Sequence, residues 1–428
     1  MKKYLLTIVS SSLLFGLEFT PLGFTPAGMG GAGVASAKGS LALYYNPALL
    51  AKHNYTVEFS LGSGLGIREY NLINRINKLA NEYKLTTTLE SIKNNAPNSK
   101  SNEANGDNIK LKKALNELYA LSQGNGLSII PTAEFSAQIG KFGIGVFGVG
   151  DLTTQAVIDR EHLYTILKDP QGGGYYYYNP DTDVYGATDK FTYEKHSLQY
   201  ALENKLTYLN VNGIVLAEVP IGYAYTFDLI NSQLSVGVGI KYMQGATYKT
   251  KLEIDSNEDE LQNSLNDNSK ISSAIGVDLG VLLTSDKMSL GLVGKYLNSP
   301  KFQYYDGSEY KINPMIRAGI SIDLTNWINI AMDIDLTKND TSIKDYKSQY
   351  IGGGINFHQS WFSIRAGLMQ NMLQEEEGII ITTGLGFGLK WLQLDLSAQA
   401  STKQGTFKNA NIPRYTKFNL ALISRWGG

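Results

Sequence analysis

Residues 327–336 read Trp-Ile-Asn-Ile-Ala-Met-Asp-Ile-Asp-Leu, and their alternation decides the fold. Ile328, Ile330, Met332, Ile334 and Leu336 share one parity, while Asn329, Ala331, Asp333 and Asp335 share the other. Successive side chains of an extended strand point to opposite faces, so one face is apolar and the other polar. The pattern recurs. Leu234, Val236, Val238, Ile240 and Tyr242 alternate with Ser235, Gly237, Gly239 and Lys241. Ile316, Ala318, Ile320, Ile322 and Leu324 alternate with Arg317, Gly319, Ser321 and Asp323. Segments 275–281, 362–368 and 392–397 repeat it, with Asp278, Arg365 and Asp395 on the polar parity. A dry sandwich core would not accept such charges unpaired. An apolar outside around a polar inside is the pattern of an all-β, antiparallel transmembrane barrel.

Composition narrows the remaining classes. A formal net charge of −1 leaves no electrostatic footprint for nucleic acid. The absence of cysteine excludes disulfides, thiolate metal sites and a lipid-modified N-terminal Cys. No apolar run reaches the roughly 18 residues that a membrane-spanning helix needs. Lys2 and Lys3 precede an apolar run from Tyr4 to Leu17, which reads as a secretory leader. We place the leader at 1–20 with cleavage between Gly16 and Ala27, a lumenal segment at 21–53 and the barrel at 54–428.

Fourteen strands are expected, near 55–67, 126–139, 142–158, 205–227, 233–254, 270–284, 287–299, 309–325, 327–339, 346–358, 361–373, 378–391, 392–403 and 414–426. Segment 205–227 is kept whole although Glu218-Val219-Pro220 offers a division into two strands. Connections then alternate between short turns and long loops at 68–125, 159–204, 255–269, 300–308 and 404–413. Bacterial barrels place short turns in the periplasm and long loops outside, and an even count returns both termini to the periplasm. On this layout Trp327, Trp361, Trp391 and Trp426 all fall at the periplasmic rim, where an aromatic belt is expected. The last strand, Tyr415 to Trp426, resembles the terminal signal read by barrel-assembly machinery, but ends in Gly427-Gly428 instead of an aromatic.

Eight strands fill a barrel with their own side chains and sixteen leave a channel, so fourteen call for a plug. The candidate plug carries Gly28, Gly30, Gly31 and Gly33, then Asn46-Pro47-Ala48. Gly28, Gly30 and Gly33 match G-x-G-x-x-G, yet no apolar strand precedes them and no acidic residue follows at the dinucleotide spacing. A steric role, letting backbone pack closely in a confined lumen, suits them better. No cofactor is expected. Gly28-Met-Gly-Gly-Ala-Gly-Val-Ala35 followed by Asn46-Pro47-Ala48 resembles the FadL-type family of outer-membrane hydrophobic-compound transporters, nearest its TraF-type branch from the F-plasmid transfer operon. The resemblance implies a fourteen-stranded barrel whose N-terminal hatch includes Asn46, Pro47 and Ala48. It also implies capture of a hydrophobic small molecule outside and lateral exit through the wall. Proline removes a ladder donor, so Pro131 is the candidate lateral opening, with an ordinary bulge as the alternative; Pro220 and Pro314 interrupt other strands.

Leu72, Ile76, Leu79 and Tyr83, and Leu111, Ala114, Leu115, Leu118 and Leu121, follow helical spacing inside the first long loop. They form either a landing groove or a packed pair. Tyr175–Tyr178 form an aromatic loop tip. Enzymatic readings lack support: His53, His162, His196 and His358 do not sit beside Ser and Asp in strands. Asp255, Asn257 and Asp259 alternate as calcium ligands do, but Glu260 stands where such a loop needs glycine, so no metal is expected. The inward charges are expected to pair across the lumen. The sequence thus supports an outer-membrane transporter for fatty acids or aromatic hydrocarbons in contact with outer-membrane lipid. The alternative is a structural, partner-binding barrel of a conjugation or secretion apparatus.

Overall fold

The computed structural model describes residues 17–52, 56–95, 106–254, 256, 268–344, 346–359, 361–389, 391–407 and 410–427. Its wall runs through strands β1 (Val57–Tyr70), β2 (Gly126–Ile139), β3 (Phe142–Val157), β4 (Tyr208–Leu229), β5 (Ser232–Leu252), β6 (Ser269–Ser285) and β7 (Met288–Lys295). It continues through β8 (Met315–Thr325), β9 (Ile328–Asp335), β10 (Tyr350–His358), β11 (Phe362–Asn371), β12 (Ile379–Leu389), β13 (Leu392–Ser401) and β14 (Tyr415–Trp426). Each strand pairs antiparallel with the next, and β14 pairs with β1 to close the barrel. Closure removes every sheet edge, which a spanning sheet requires because lipid offers no hydrogen bonds.

The parity of 327–336 is realised in β9. Ile330 and Met332 are exposed on the outside, whereas Asn329, Ala331, Asp333 and Asp335 are buried inside. β4 is one continuous strand through Val219 and Pro220. Turns such as Gly140–Lys141, Ile230–Asn231, Asp286–Lys287 and Asn326–Trp327 make one end of the barrel short. The opposite end carries the long loops.

Two features depart from the expected layout. Pro314 lies ahead of β8 and interrupts no strand. The alternation read as strands 309–325 and 327–339 runs partly into loops instead. Residues 301–303 pair with 309–311, and 339–340 with 347–348, as small hairpins at the long-loop end. Phe302, Tyr304, Tyr310 and Ile312 of the first hairpin are buried in the upper lumen. Ser342 of the second is tied to the wall: its N–H donates to Asp151 at 3.0 Å and its carbonyl accepts from Asn212 at 3.1 Å.

A cap stands on the long-loop end. The first loop forms helices Ile73–Asn77, Leu85–Asn95 and Asp107–Leu121, with a π-helical turn between the first two. The second contributes a three-stranded sheet that includes Tyr175–Asn179, and helices Lys190–His196 and Leu198–Glu203. The two predicted stripes pack on each other: Leu72, Leu79, Leu111, Ala114, Leu118 and Leu121 are all buried in one cluster. Tyr178 joins that cluster, while Tyr177 stays exposed. His162 and His196 lie in the cap against backbone carbonyls of Glu194 and Glu161. His53 and the Asp255, Asn257, Asp259, Glu260 run lie outside the described residues.

Candidate functional site: the plugged lumen

Residues 17–52 lie inside the barrel, almost entirely buried. The strand fold cannot recruit these residues because glycine and proline punctuate them, so they form short turns: Thr25–Gly28, Gly39–Leu41, Ala42–Tyr45 and Pro47–Ala51. Short turns leave many backbone groups unpaired, and buried groups of this kind need partners. Inward polar side chains of the wall supply them.

The glycine cluster sits against the wall at β10–β12. Gly30 has φ +65°, and a Cβ there would stand 2.3 Å from the Leu368 carbonyl. Glycine is therefore required for two reasons at once, conformation and space. The wall mirrors this: a Cβ on Gly352 would stand 2.1 Å from the Gly30 carbonyl. Gly30 N–H donates to Thr382 Oγ1 at 2.9 Å, and that hydroxyl donates to the Gly28 carbonyl at 3.0 Å. Gln399 Nε2 donates to the Ala27 carbonyl at 2.7 Å. Gly33 and Val34 N–H both donate to Asp333 Oδ2, at 2.7 and 2.9 Å. Gly31 lies near Pro21 and Met369.

Asn46, Pro47 and Ala48 do two jobs. Asn46 Oδ1 accepts from Ala48 N–H at 3.0 Å and caps the turn that Pro47 opens. Its amide nitrogen meanwhile donates to the Val34 carbonyl at 3.0 Å and the Val281 carbonyl of β6 at 3.2 Å. One side chain thus joins two stretches of plug to the wall. Four further tethers add to these. Lys417 Nζ donates to the Pro21 carbonyl at 2.6 Å, and Gln138 Nε2 to the Leu50 carbonyl at 3.0 Å. Ser40 N–H donates to Glu58 at 2.9 Å, and Lys52 Nζ to Ser289 Oγ at 2.9 Å. Burial pulls the Lys52 ammonium below the usual lysine value; Asp323 opposes this and Lys38 adds to it.

Lys241, Asp278, Arg317, Asp333, Asp335, Arg365 and Asp395 pair along the wall, not across the lumen, because the plug occupies the middle; Arg68 of β1 is the exception, reaching Glu377 at 3.0 Å and Tyr350 of β10 at 2.9 Å. Lys241 holds Asp278 at 2.9 Å and Glu218 at 3.2 Å on neighbouring strands. Arg317 lies 3.5 Å from both Asp333 and Asp335, and Arg365 pairs with Asp395. Glu134 is buried with both carboxylate oxygens lacking hydrogen-bond partners.

Pro131 lies in β2 opposite Leu65 of β1. On its other side the ladder to β3 passes from Ile129–Leu152 to Thr132–Val149, skipping Ile130 and Pro131. Pro220 coincides with a second gap, where the β3–β4 ladder skips Gly145 and Val146. β3 is therefore loosened on both flanks. Trp327, Trp361, Trp391 and Trp426 are exposed and stand at the short-turn end, with Trp391 and Trp426 6.4 Å apart. Beneath the plug at that end, a cavity of about 550 Å³ is lined by Lys38, Lys52, Gln138, His358, Arg365 and Arg425 among others.

The sequence could not point to Glu58, Thr382, Gln399 or Lys417. Their only signal is a polar residue on the inward parity, shared with many positions; register alone brings them to the plug.

Apolar outside, polar inside and closed by its own N-terminal segment, the chain is an outer-membrane-type β-barrel. It belongs to the family described as the F plasmid transfer operon TraF protein, which matches residues 43–335. Among solved structures, the CymD monoaromatic hydrocarbon channel shares the fold, with a TM-score of 0.52, 12% identity and coverage of 96% of this chain and 100% of that one. The Pseudomonas putida toluene transporter TodX follows with a TM-score of 0.48, 12% identity and coverage of 96% and 98%. A Pseudomonas aeruginosa FadL homologue gives a TM-score of 0.45, 10% identity and coverage of 95% and 99%. No curated protein matches the chain.

Proposed function

We propose that this protein is an outer-membrane transporter for hydrophobic small molecules, fatty acids or aromatic hydrocarbons, that releases them laterally into lipid past a movable hatch. The short-turn end with its tryptophans, Trp426 of the last strand among them, faces the periplasm and the cap faces outward. Leu17 and Glu18 do not lie at that end, contrary to the expectation for both termini, since Glu18 meets Arg68 and Glu377 at the long-loop end of the lumen. The observation that carries the reading is an apolar groove of about 590 Å³ in the lipid-facing wall, spanning β12, β13, β14 and β1 and lined by Leu65, Leu385, Leu396, Phe418 and Leu420 among others. Pockets that hold small ligands are usually about 300–1,000 Å³, so a groove of this size suits one such molecule.

The groove has an inner counterpart. A small gap is lined both by Leu22 and Gly23 of the plug and by Ser63, Asn419 and Leu420, which also line the groove. Leu65 of the groove pairs with Pro131, whose ladder to β3 is incomplete. The missing ladder bonds lie one strand beyond the groove, between β2 and β3, while β1 and β14 stay paired across it; a molecule leaving the lumen near plug residue Leu22 would meet apolar surface at once. In this reading Gly28, Gly30, Gly31, Gly33, Asn46, Pro47 and Ala48 act as the hatch. Likeness to the CymD hydrocarbon channel supports the same class of cargo. A second reading, a partner-binding barrel of a conjugation or secretion apparatus, is favoured by the packing of Phe302, Tyr304, Tyr310 and Ile312 in the upper lumen and by the family's description.

The test is uptake of a labelled long-chain fatty acid and a small aromatic hydrocarbon by cells lacking their native transporter. They express this protein, or a version with Asn46, Pro47 and Ala48 replaced, at matched surface levels. Uptake that the replacement alters is the expected result. No uptake by either version, with the barrel correctly assembled, moves the assignment to the partner-binding role.

A further inference from the structure

The cavity of about 550 Å³ at the short-turn end carries a charge imbalance that neither plug nor wall resolves. Among the described residues, its lining holds four permanent cations, Lys38, Lys52, Arg365 and Arg425, against one carboxylate, Glu58. Two of the cations are engaged by neighbours. Arg425 Nε holds Glu58 at 2.8 Å, and Arg365 Nη2 holds Asp395 of β13 at 2.8 Å. The other oxygen of Glu58 accepts from Ser40 N–H at 2.9 Å. Lys38 and Lys52 remain. Lys38 is exposed, Lys52 Nζ donates to Ser289 Oγ at 2.9 Å, and neither pairs with a carboxylate among the described residues. Asp323 acts through space on Lys52 and His358, but it is not in the lining and already accepts from Asn329 Nδ2 at 2.8 Å. Four cations against Glu58, Asp395 and Asp323 leave one net positive charge, and Lys38 and Lys52 repel each other.

Unused hydrogen-bonding groups line the same cavity. Arg365 is almost fully buried, yet its Nε–H has no partner, and neither do the buried His358 Nδ1 and Asn356 Oδ1. Buried polar groups left unsatisfied are costly, so a ligand with negative charge, several acceptor oxygens and one donor would relieve all three. The donors come from the plug (Lys38, Lys52), from the end of β10 (His358) and from β11 (Arg365). A tetrahedral phosphate can take bonds from all of them, whereas a planar carboxylate has two oxygens. The cavity also reaches the lipid side. Trp327, Trp361 and Leu389 line it and are exposed at the rim, the level at which headgroups stand.

We propose that this cavity is a binding site for a hydroxyl-bearing phosphate ester, supplied either by the headgroup of a phospholipid in the surrounding leaflet or by a free glycerol phosphate. Lys38, Lys52 and Arg365 hold the phosphate oxygens, His358 adds a donor in the tautomer protonated at Nδ1, and Asn356 Oδ1 accepts from the hydroxyl. The inference uses only the short-turn end of the lumen, so it holds whichever cargo or partner the barrel serves.

The test is native mass spectrometry of the full-length barrel in neutral detergent. The probes are glycerol phosphate and dioleoylphosphatidylglycerol, with glycerol and dioleoylglycerol as their phosphate-free counterparts. One saturable adduct is expected with at least one phosphate probe, and none with its counterpart. An adduct with glycerol phosphate makes the free ester a source, and an adduct with the lipid alone makes the headgroup the source. Lys38→Gln alters an exposed side chain that tethers nothing among the described residues, so the fold is kept. It should weaken the adduct about tenfold, the loss of one charged hydrogen bond. Lys287→Gln, in a short turn of the same end but outside the lining, should leave the adduct unchanged. The proposal is overturned if neither phosphate probe gives a saturable adduct, if Lys38→Gln has no effect, or if both variants weaken it equally.

Discussion

Plug and cap are both additions to one barrel with apolar seats, yet only the plug is also tethered along its backbone by wall side chains. The plug is met along its length by wall side chains that reach its backbone: Asp333, Thr382, Gln399, Glu58, Gln138 and Lys417. The cap is held by leucines packed among themselves, with Leu209 of β4 and Ile254 rooting the cluster in the wall. β4 and β5 are 22 and 21 residues long, about twice what the roughly 9–11-residue span of a membrane requires. Their excess carries the cap. Hydrogen bonds exchanged with water are worth only about 0.5–1.5 kcal/mol each net, so a wetted plug can trade its tethers singly. Apolar burial has no such substitute. The plug shares this apolar term, since Leu43, Tyr44, Leu49 and Leu50 are buried in one cluster with Phe147, Leu216 and Leu282 of the wall; what it adds, and the cap largely lacks, is a row of polar tethers to its backbone.

The sharpest way to break this contrast is Asp333→Ala. It removes the double acceptor for Gly33 and Val34 and one of the two carboxylates beside Arg317. Breaking a buried charged contact costs about 3–5 kcal/mol, so plug contacts should weaken by that order. Planar-bilayer recordings should show conductance steps that the unaltered protein lacks; unchanged conductance would refute the tether role. Leu118→Ala attacks the other part, at about 2–5 kcal/mol for a buried leucine. Hydrogen exchange should rise across residues 107–121 while the barrel strands and the conductance stay as they were. If the conductance changes too, plug and cap are not independent.

Gly30→Ala is milder, about 1–3 kcal/mol for a non-glycine residue at positive φ, plus whatever shift relieves the contact with the Leu368 carbonyl. Its expected effect is a leak smaller than that of Asp333→Ala, and an equal or larger leak would put backbone fit above the tethers. The smallest effect concerns Asp306, in the turn of the 301–311 hairpin. Burial pulls its carboxyl upward, but hydrogen bonds from Lys249 and Ser308 outweigh this and hold it at about 2. Its contribution is present above the ordinary aspartate value near 4 and disappears as pH falls through about 2. The hairpin should loosen slightly over that window, measured by exchange at residues 301–311, and Asp306→Asn should flatten the dependence.

The wall was legible because a two-residue period and a lipid exterior leave little freedom: fourteen strands, with 205–227 unbroken, follow from parity and turn residues. The small hairpins were not, since Tyr310 and Ile312 continue an alternation that only the register to 301–303 shows to be a loop. Helix Leu85–Asn95 went unseen because Thr86, Thr87 and Thr88, β-branched and stiff, argue locally against a helix. The plug glycines announced close packing, but not its partner. Gly30 faces Gly352 and Gly353, and only the closed barrel brings those positions together.

Lys417 donates to a carbonyl 396 positions earlier in the chain. That single bond ties the first described stretch to the final strand, which is also the strand that meets β1 at the seam. Contacts of such sequence separation form late and slowly in folding. The last strand to emerge is thus the one that grips the first segment, so sealing the cylinder and seating its contents belong to one terminal step of biogenesis.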